Sequence, residues 1–201
     1  MQLGELQPEP RVELATDAQK ALALLLEGNT MAAIDLIERS EDAARLRLYH
    51  LVQLDLHRKG LLDGRTSSAY LDEIVAVSKA AMASFRSRPG RSTEERWELA
   101  RLLSDLASFT LPDLGGETKS QRQVGLEAAR LALELWEGLG EAAETGRAHR
   151  LLARHYHAAG NVRRAESHLQ KSIECLAGTS AQDELDHSRA LLGLLQLSRQ
   201  C

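Results

Sequence analysis

Four side chains in the last third of the chain invite a chemical reading: Arg147, Arg150, Arg154 and His157. Their spacing puts them within about 80° of one another on an α-helix, as a basic strip along one face. Guanidinium forks match the oxygens of carboxylates and phosphates, so the strip suits an acidic peptide segment or a chain terminus. The plain alternative is a helix face that is charged because it is wet. Seven histidines are present, four of them between residues 149 and 168. His155 and His157 are two apart and point to different faces of a helix, whereas zinc wants i,i+4 or facing pairs with thiolates or carboxylates. His50 and His57 share a face but stand two turns apart, too far for one metal without outside ligands. No metal and no cofactor are expected, and the histidines read as solvated or core-edge groups.

Catalytic signatures fare no better. The run GGETKS after Leu114 looks like a phosphate loop but lacks the Gly-Lys-Ser/Thr spacing, and no strand precedes it. Asp186, His187 and Ser188 are neighbours in sequence, and a triad needs neighbours in space. No Gly-x-Ser-x-Gly and no His-Glu-x-x-His occurs. The chain is therefore read as a protein with no enzymatic activity.

Helices must position these groups. Of the 201 residues, 43% are hydrophobic, 27% charged and only 3% aromatic, with Ala and Leu dominating the apolar set. That composition favours close-packed helices in one globular domain over a sheet. The net charge of −4 lacks the basic surplus usual for nucleic-acid binders. No apolar run approaches the ~20 residues of a membrane span, and MQLGELQPEPR is no secretory signal. Cys175 and Cys201 make neither a metal motif nor a disulfide framework, which points to the cytoplasm.

In chain order, Pro8 and Pro10 mark a loose lead. The first helix is expected from about Val12 to Glu27, with Leu14, Ala18, Ala21 and Leu25 inward. The Gly28-Asn29 turn opens a second helix to Arg39. Ser40 caps a third, from Glu41 to Lys59, whose apolar residues are spread widely enough to be buried on more than one side. Gly60 to Thr66 reads as a connection, and the fourth helix runs from Ser67 to Arg86. SRPGRS is a break, after which Ser92 or Thr93 caps a fifth helix to Phe109, with Glu94 and Glu95 at its positive end. TLPDLGGETKS is a loop, and a sixth helix spans Gln121 to Leu139.

The stretch from Gly146 to Ala177 holds two amphipathic helices joined at Gly160-Asn161. Leu152, Ala153 and Tyr156 stand in the first, and Ala165, Leu169 and Ser172 in the second. In these residues and spacings it resembles a tetratricopeptide repeat, a helix-turn-helix unit of about 34 residues that stacks into a solenoid. His149 departs from the pattern, standing where the repeat has a bulky apolar residue. Ala33, Ile37 and Ser40, after Gly28-Asn29, echo Ala165, Leu169 and Ser172. The resemblance implies an all-α fold, a right-handed α-solenoid of about four antiparallel helix pairs plus a C-terminal helix; the alternative is a non-repeating helical bundle. Residues 1–10 are a flexible lead and 11–201 one domain. By the same resemblance Arg147, Arg150, Arg154 and His157 line a concave groove. Ala15, Ala18 and Leu22 would make its other end apolar, so that it suits an amphipathic segment.

The last helix, about Ala181 to Arg199, has two apolar stripes. Leu185, Leu192 and Leu195 can cover the stack. Ala190, Leu194 and Leu197 lie nearly opposite, where a terminal cap should be polar. They are expected to contact a second copy of the chain, as a homodimer, or a partner; the alternative is that the N-terminal lead folds over them. The function that follows is a non-catalytic scaffold or adaptor binding a protein or an acidic peptide segment, with no nucleic acid and no membrane. The rival is a helical regulatory sensor holding a small molecule in its interior.

Overall fold

Ala and Leu at three- and four-residue spacings dictate helices, and helices are what form. The structure, a computed structural model, describes residues 10–62, 70–87, 91–114, 116 and 118–198. Among these the chain is all-α with no strand. The helices are α1 (Pro10–Leu26), α2 (Thr30–Glu38), α3 (Asp42–Leu62), α4 (Leu71–Arg86), α5 (Thr93–Phe109), α6 (Lys119–Leu139), α7 (Ala142–Ala158), α8 (Val162–Leu176) and α9 (Gln182–Ser198). A 3-10 turn, Pro112–Leu114, interrupts the loop after α5.

Local chemistry sets most boundaries. Gly28, Gly140 and Gly160 all have φ between 75° and 79°, the left-handed backbone that ends a helix. At each, the next residue's N–H turns back to a carbonyl of the last turn: Asn29 to Leu24, Glu141 to Trp136, Asn161 to Tyr156. The side chains of Asn29 and Asn161 then cap α2 and α8 by accepting from Ala32 and Arg164. Ser92 with Glu95 and Thr118 with Gln121 form reciprocal capping boxes on α5 and α6.

Several boundaries differ from the sequence expectation. Pro10 is the first residue of α1 rather than part of a lead, a position where its missing N–H costs nothing; residues 1–9 lie outside the described residues. Gly60 does not end α3, which runs on to Leu62 because Gly60 is buried in a packed face. α3 begins at Asp42, so Ser40 is not its cap; the Ser40 carbonyl instead receives the Arg45 guanidinium. α7 starts at Ala142, with Gly146 inside it. A Cβ on Gly146 would stand 2.6 Å from Cγ of Leu176, so the glycine admits α8. The expected start of the fourth helix at Ser67 and the centre of SRPGRS lie outside the described residues.

Each helix packs on the next from α1 to α9, least between α2 and α3. Helices two apart also meet: α1 with α3, α3 with α5, α5 with α7, α2 with α4, and α4 with α6. One apolar core runs the length of the chain, from Ala21 and Ile37 through Val52 and Leu103 to Trp136 and Leu169. Buried polar bonds fix how the helices register. Gln53 of α3 donates to Ser78 of α4 at 3.2 Å and to the Leu102 carbonyl of α5 at 3.1 Å. Tyr49 donates to Glu38 at 2.7 Å, and Trp136 to Ser104 at 3.1 Å.

Gly125 of α6 is held against Thr110 and His155; a Cβ there would stand 1.8 Å from Oγ1 of Thr110. Gly138, in the same helix, faces open space. Gly125→Ala is expected to destabilise the protein by about 1–3 kcal/mol through overpacking. Gly138→Ala is expected to stabilise it by up to about 1 kcal/mol through helix propensity. Urea unfolding of the two variants checks the opposite signs.

Candidate functional site

The buried face of α7 is set by Ala148, His149, Leu152, Ala153, His155 and Tyr156. That leaves Arg147, Arg150, Arg154 and His157 on the outward side, as their spacing requires, but their surroundings divide them. Arg147 donates to Glu144 and, at 3.3 Å, to Glu184 of α9. Arg150 pairs with the same Glu184 carboxylate and donates to its main-chain carbonyl at 3.2 Å. Burial alone would raise the Glu184 carboxyl, but the Arg150 and Arg147 guanidinium groups outweigh it and hold it below the usual range. These two arginines therefore fasten the start of α9 to α7. Arg154 donates to Asp113 of the 3-10 turn at 2.6 Å, an ion pair at the surface, and His157 is exposed.

On α9, Leu185, Ser188 and Leu195 turn inward and Ser188 meets Ser172 of α8 at 2.9 Å. Leu192 is half-buried. Ala190 is exposed, and Leu194 and Leu197 are each 63% exposed. A slot of about 130 Å³ opens between α7, α8 and α9. Ala153, Leu169, Leu191 and Leu195 line its walls, and Arg154, His157 and Leu194 stand at it too. The structure thus brings Arg154 and His157 together with Leu194, while Arg147 and Arg150 serve the α7–α9 junction. No sequence pattern gives the offset of α9 along α7, so the slot was invisible there; the small residue Ala153 beside Arg154 was the one available signal.

No protein-family model matches the chain. No curated protein matches it either.

The remaining candidates are placed apart. Ser188 is buried while Asp186 and His187 are exposed, Asp186 pairing with Arg189, so the three form no triad. Among the described residues no group of three or more His, Cys, Asp or Glu is placed to hold a metal. None of the described helices is long and apolar enough to cross a membrane. Cys175 is a half-buried thiol whose pKa burial raises.

The histidines correct the expectation of solvated or core-edge groups: His50, His149 and His155 are buried. His50 of α3 sits 2.7 Å from Asp105 and 3.7 Å from Glu98, both on α5. Burial opposes its charge, but the two carboxylates prevail and its pKa is raised. His149 Nδ1 lies 3.0 Å from His168 Nδ1, so one ring donates and the other accepts. Burial first, then His168 and Lys171, push the His149 pKa down to about 4. Glu137, 4.0 Å from Nε2, is too distant to offset this.

His50 and His149 make stability depend on pH with opposite signs. His149 titrates below its unfolded value of 6.5, so its contribution is full above that pH and fades as the pH falls toward 4. His50 titrates above 6.5, so its contribution is full below that pH and fades as the pH rises through its raised pKa. Urea unfolding is expected to show about 2 kcal/mol lost from His149 between about pH 7 and pH 5. His149→Leu should lose correspondingly less over that window, and His50→Gln should flatten only the alkaline side.

Proposed function

We propose that the chain is a tetratricopeptide-like binding module, without a reaction of its own, that holds an acidic, amphipathic segment of a partner protein. The slot carries this reading: the Arg154 guanidinium and the His157 imidazole stand beside Leu191, Leu194 and Leu195. An aliphatic side chain of the partner fills the slot while an adjacent carboxylate meets Arg154. The Arg154–Asp113 pair is exposed, and such pairs contribute only about 0–1 kcal/mol, so a partner carboxylate displaces Asp113 at little cost. The packing of odd-numbered helices on one another from α1 to α7, and of even-numbered ones from α2 to α6, supports the solenoid reading. So do the matching Gly-Asn turns at α1–α2 and α7–α8, with α9 covering the last pair. A groove set by stacked helices loses little ordering entropy when a ligand docks.

The exposed stripe of Ala190, Leu194 and Leu197 favours one other occupant, a second copy of the chain. A second copy turned about a two-fold axis would bring the same stripe against it, the arrangement of an isologous homodimer.

The test begins with the protein that co-purifies from the chain's own source, titrated against wild type, Arg154→Glu/His157→Glu and Leu194→Glu. Each variant is expected to weaken binding about tenfold or more, and the wild-type affinity to fall as salt is added. Equal binding by all three would remove the slot from the account. Light scattering on Leu194→Glu/Leu197→Glu separates the dimer: a halved mass assigns the stripe to a second copy, and an unchanged mass leaves it to the partner.

A further inference from the structure

A second, larger cavity lies away from the slot and shares no lining residue with it. It opens between the start of α6 and the end of α7 and has a volume of about 370 Å³. Lys119, Arg122, Gln123 and Leu126 form its α6 wall, at the i, i+3, i+4, i+7 positions of one helix face. His155, Ala158 and Ala159 form the α7 wall. Helix spacing and side-chain size together create the space. Gly125 presses α6 onto Thr110 and His155, and one turn further along α7 the alanines extend only a methyl each toward the long side chains opposite.

Three chemical features meet there. Lys119 and Arg122 bring two cations to the first turn of α6, where the helix end is itself positive. Arg122 donates to the Gly116 carbonyl at 3.0 Å, which keeps its guanidinium at the mouth of the cavity. Among the described lining residues there is no carboxylate. His155 is only 4% exposed, and its Nε2–H donates to the Ala107 carbonyl at 2.8 Å, which leaves Nδ1 with a lone pair. Burial lowers the His155 pKa, so the ring stays neutral and Nδ1 stays an acceptor. Among the described residues nothing hydrogen-bonds that Nδ1. Leu126, Ala158 and Ala159 supply an apolar wall.

We propose that this cavity binds a small carboxylic acid that carries an O–H or N–H donor beside its carboxylate and a short hydrocarbon tail. The carboxylate meets Lys119 and Arg122, the donor bonds Nδ1 of His155, and the tail lies on Leu126 and the two alanines. Cations at one end and apolar walls elsewhere suit a single carboxylate better than phosphate, whose oxygens want donors on several sides.

Calorimetric titration with α-hydroxyisocaproate, isocaproate and inorganic phosphate tests the assignment. The hydroxy acid is expected to bind saturably, and isocaproate, which lacks the donor, about tenfold more weakly. Phosphate should not displace the hydroxy acid. Ala158→Leu fills the cavity from an exposed position, so it should keep the wild-type melting curve and lose binding; Lys119→Gln should keep the fold and bind several-fold more weakly. No saturable binding by the wild type, undiminished binding by folded Ala158→Leu, or displacement by phosphate would each overturn the proposal.

Discussion

The closeness of the helices is the constraint on which everything else depends. Small residues alternate with leucines on their contact faces: Ala33, Ala81, Ala128, Ala132, Ala153 and Ala165 are all buried. Gly125 and Gly146 leave no room for even a methyl group. With so few aromatics, cohesion comes from leucines packed between helices that the alanines let approach closely. Close approach also exposes each helix's main-chain carbonyls to its neighbour. Ser172 donates to the Gly146 carbonyl at 2.7 Å, His155 to that of Ala107, and Gln53 to that of Leu102. Such bonds satisfy buried polar groups and resist sliding of one helix along another, which apolar contact alone does not.

The same closeness decides the charge of each buried histidine. His50 and His149 are about equally hidden from water, yet one is favoured as a cation and the other as a neutral ring. The difference is what the neighbouring helix presents: Asp105 and Glu98 from α5 in the first case, His168 and Lys171 from α8 in the second. Burial raises the stakes of that choice without making it. His57 follows the same rule. Its ring stacks on Phe109 at 3.9 Å, and burial outweighs the distant pull of Asp105, so its pKa is lowered.

What could be read from the sequence was local. The Gly-Asn turns, the Ser92–Glu95 capping box and the two stripes of α9 each depend on residues within a turn or two of one another. Glycine was misleading at Gly60, which reads as the start of a connection yet lies inside α3; Gly146 lies within α7 rather than at its start, where it admits Leu176. The His149–His168 contact left a trace, since His149 falls on the buried stripe with Leu152 and Tyr156, but nothing in one chain's pattern says which residue of α8 it meets. The cavity between α6 and α7 left none. It is made by the short side chains of Ala158 and Ala159, and an alanine says nothing of what stands opposite.

Glu184 shows why the basic face of α7 must be treated as two halves. Its carboxylate takes Arg147 and Arg150, and its main-chain carbonyl accepts from Arg150 and from Ser188. These bonds fix both the height and the rotation of α9 at its start. An α-helix transmits rotation rigidly, at about 100° per residue, so the azimuth of Leu191, Leu194 and Leu195, about two to three turns later, follows from the bonds at Glu184. Turned by a single position, α9 would carry Leu195 away from the core and bring Leu194 inward, and the slot would close. Arg147 and Arg150 therefore shape the groove without lining it, while Arg154 and His157 line it without being needed to hold it together. One continuous strip thus does structural work at one end and leaves charge to offer at the other, and the division is made by a single carboxylate on the facing helix.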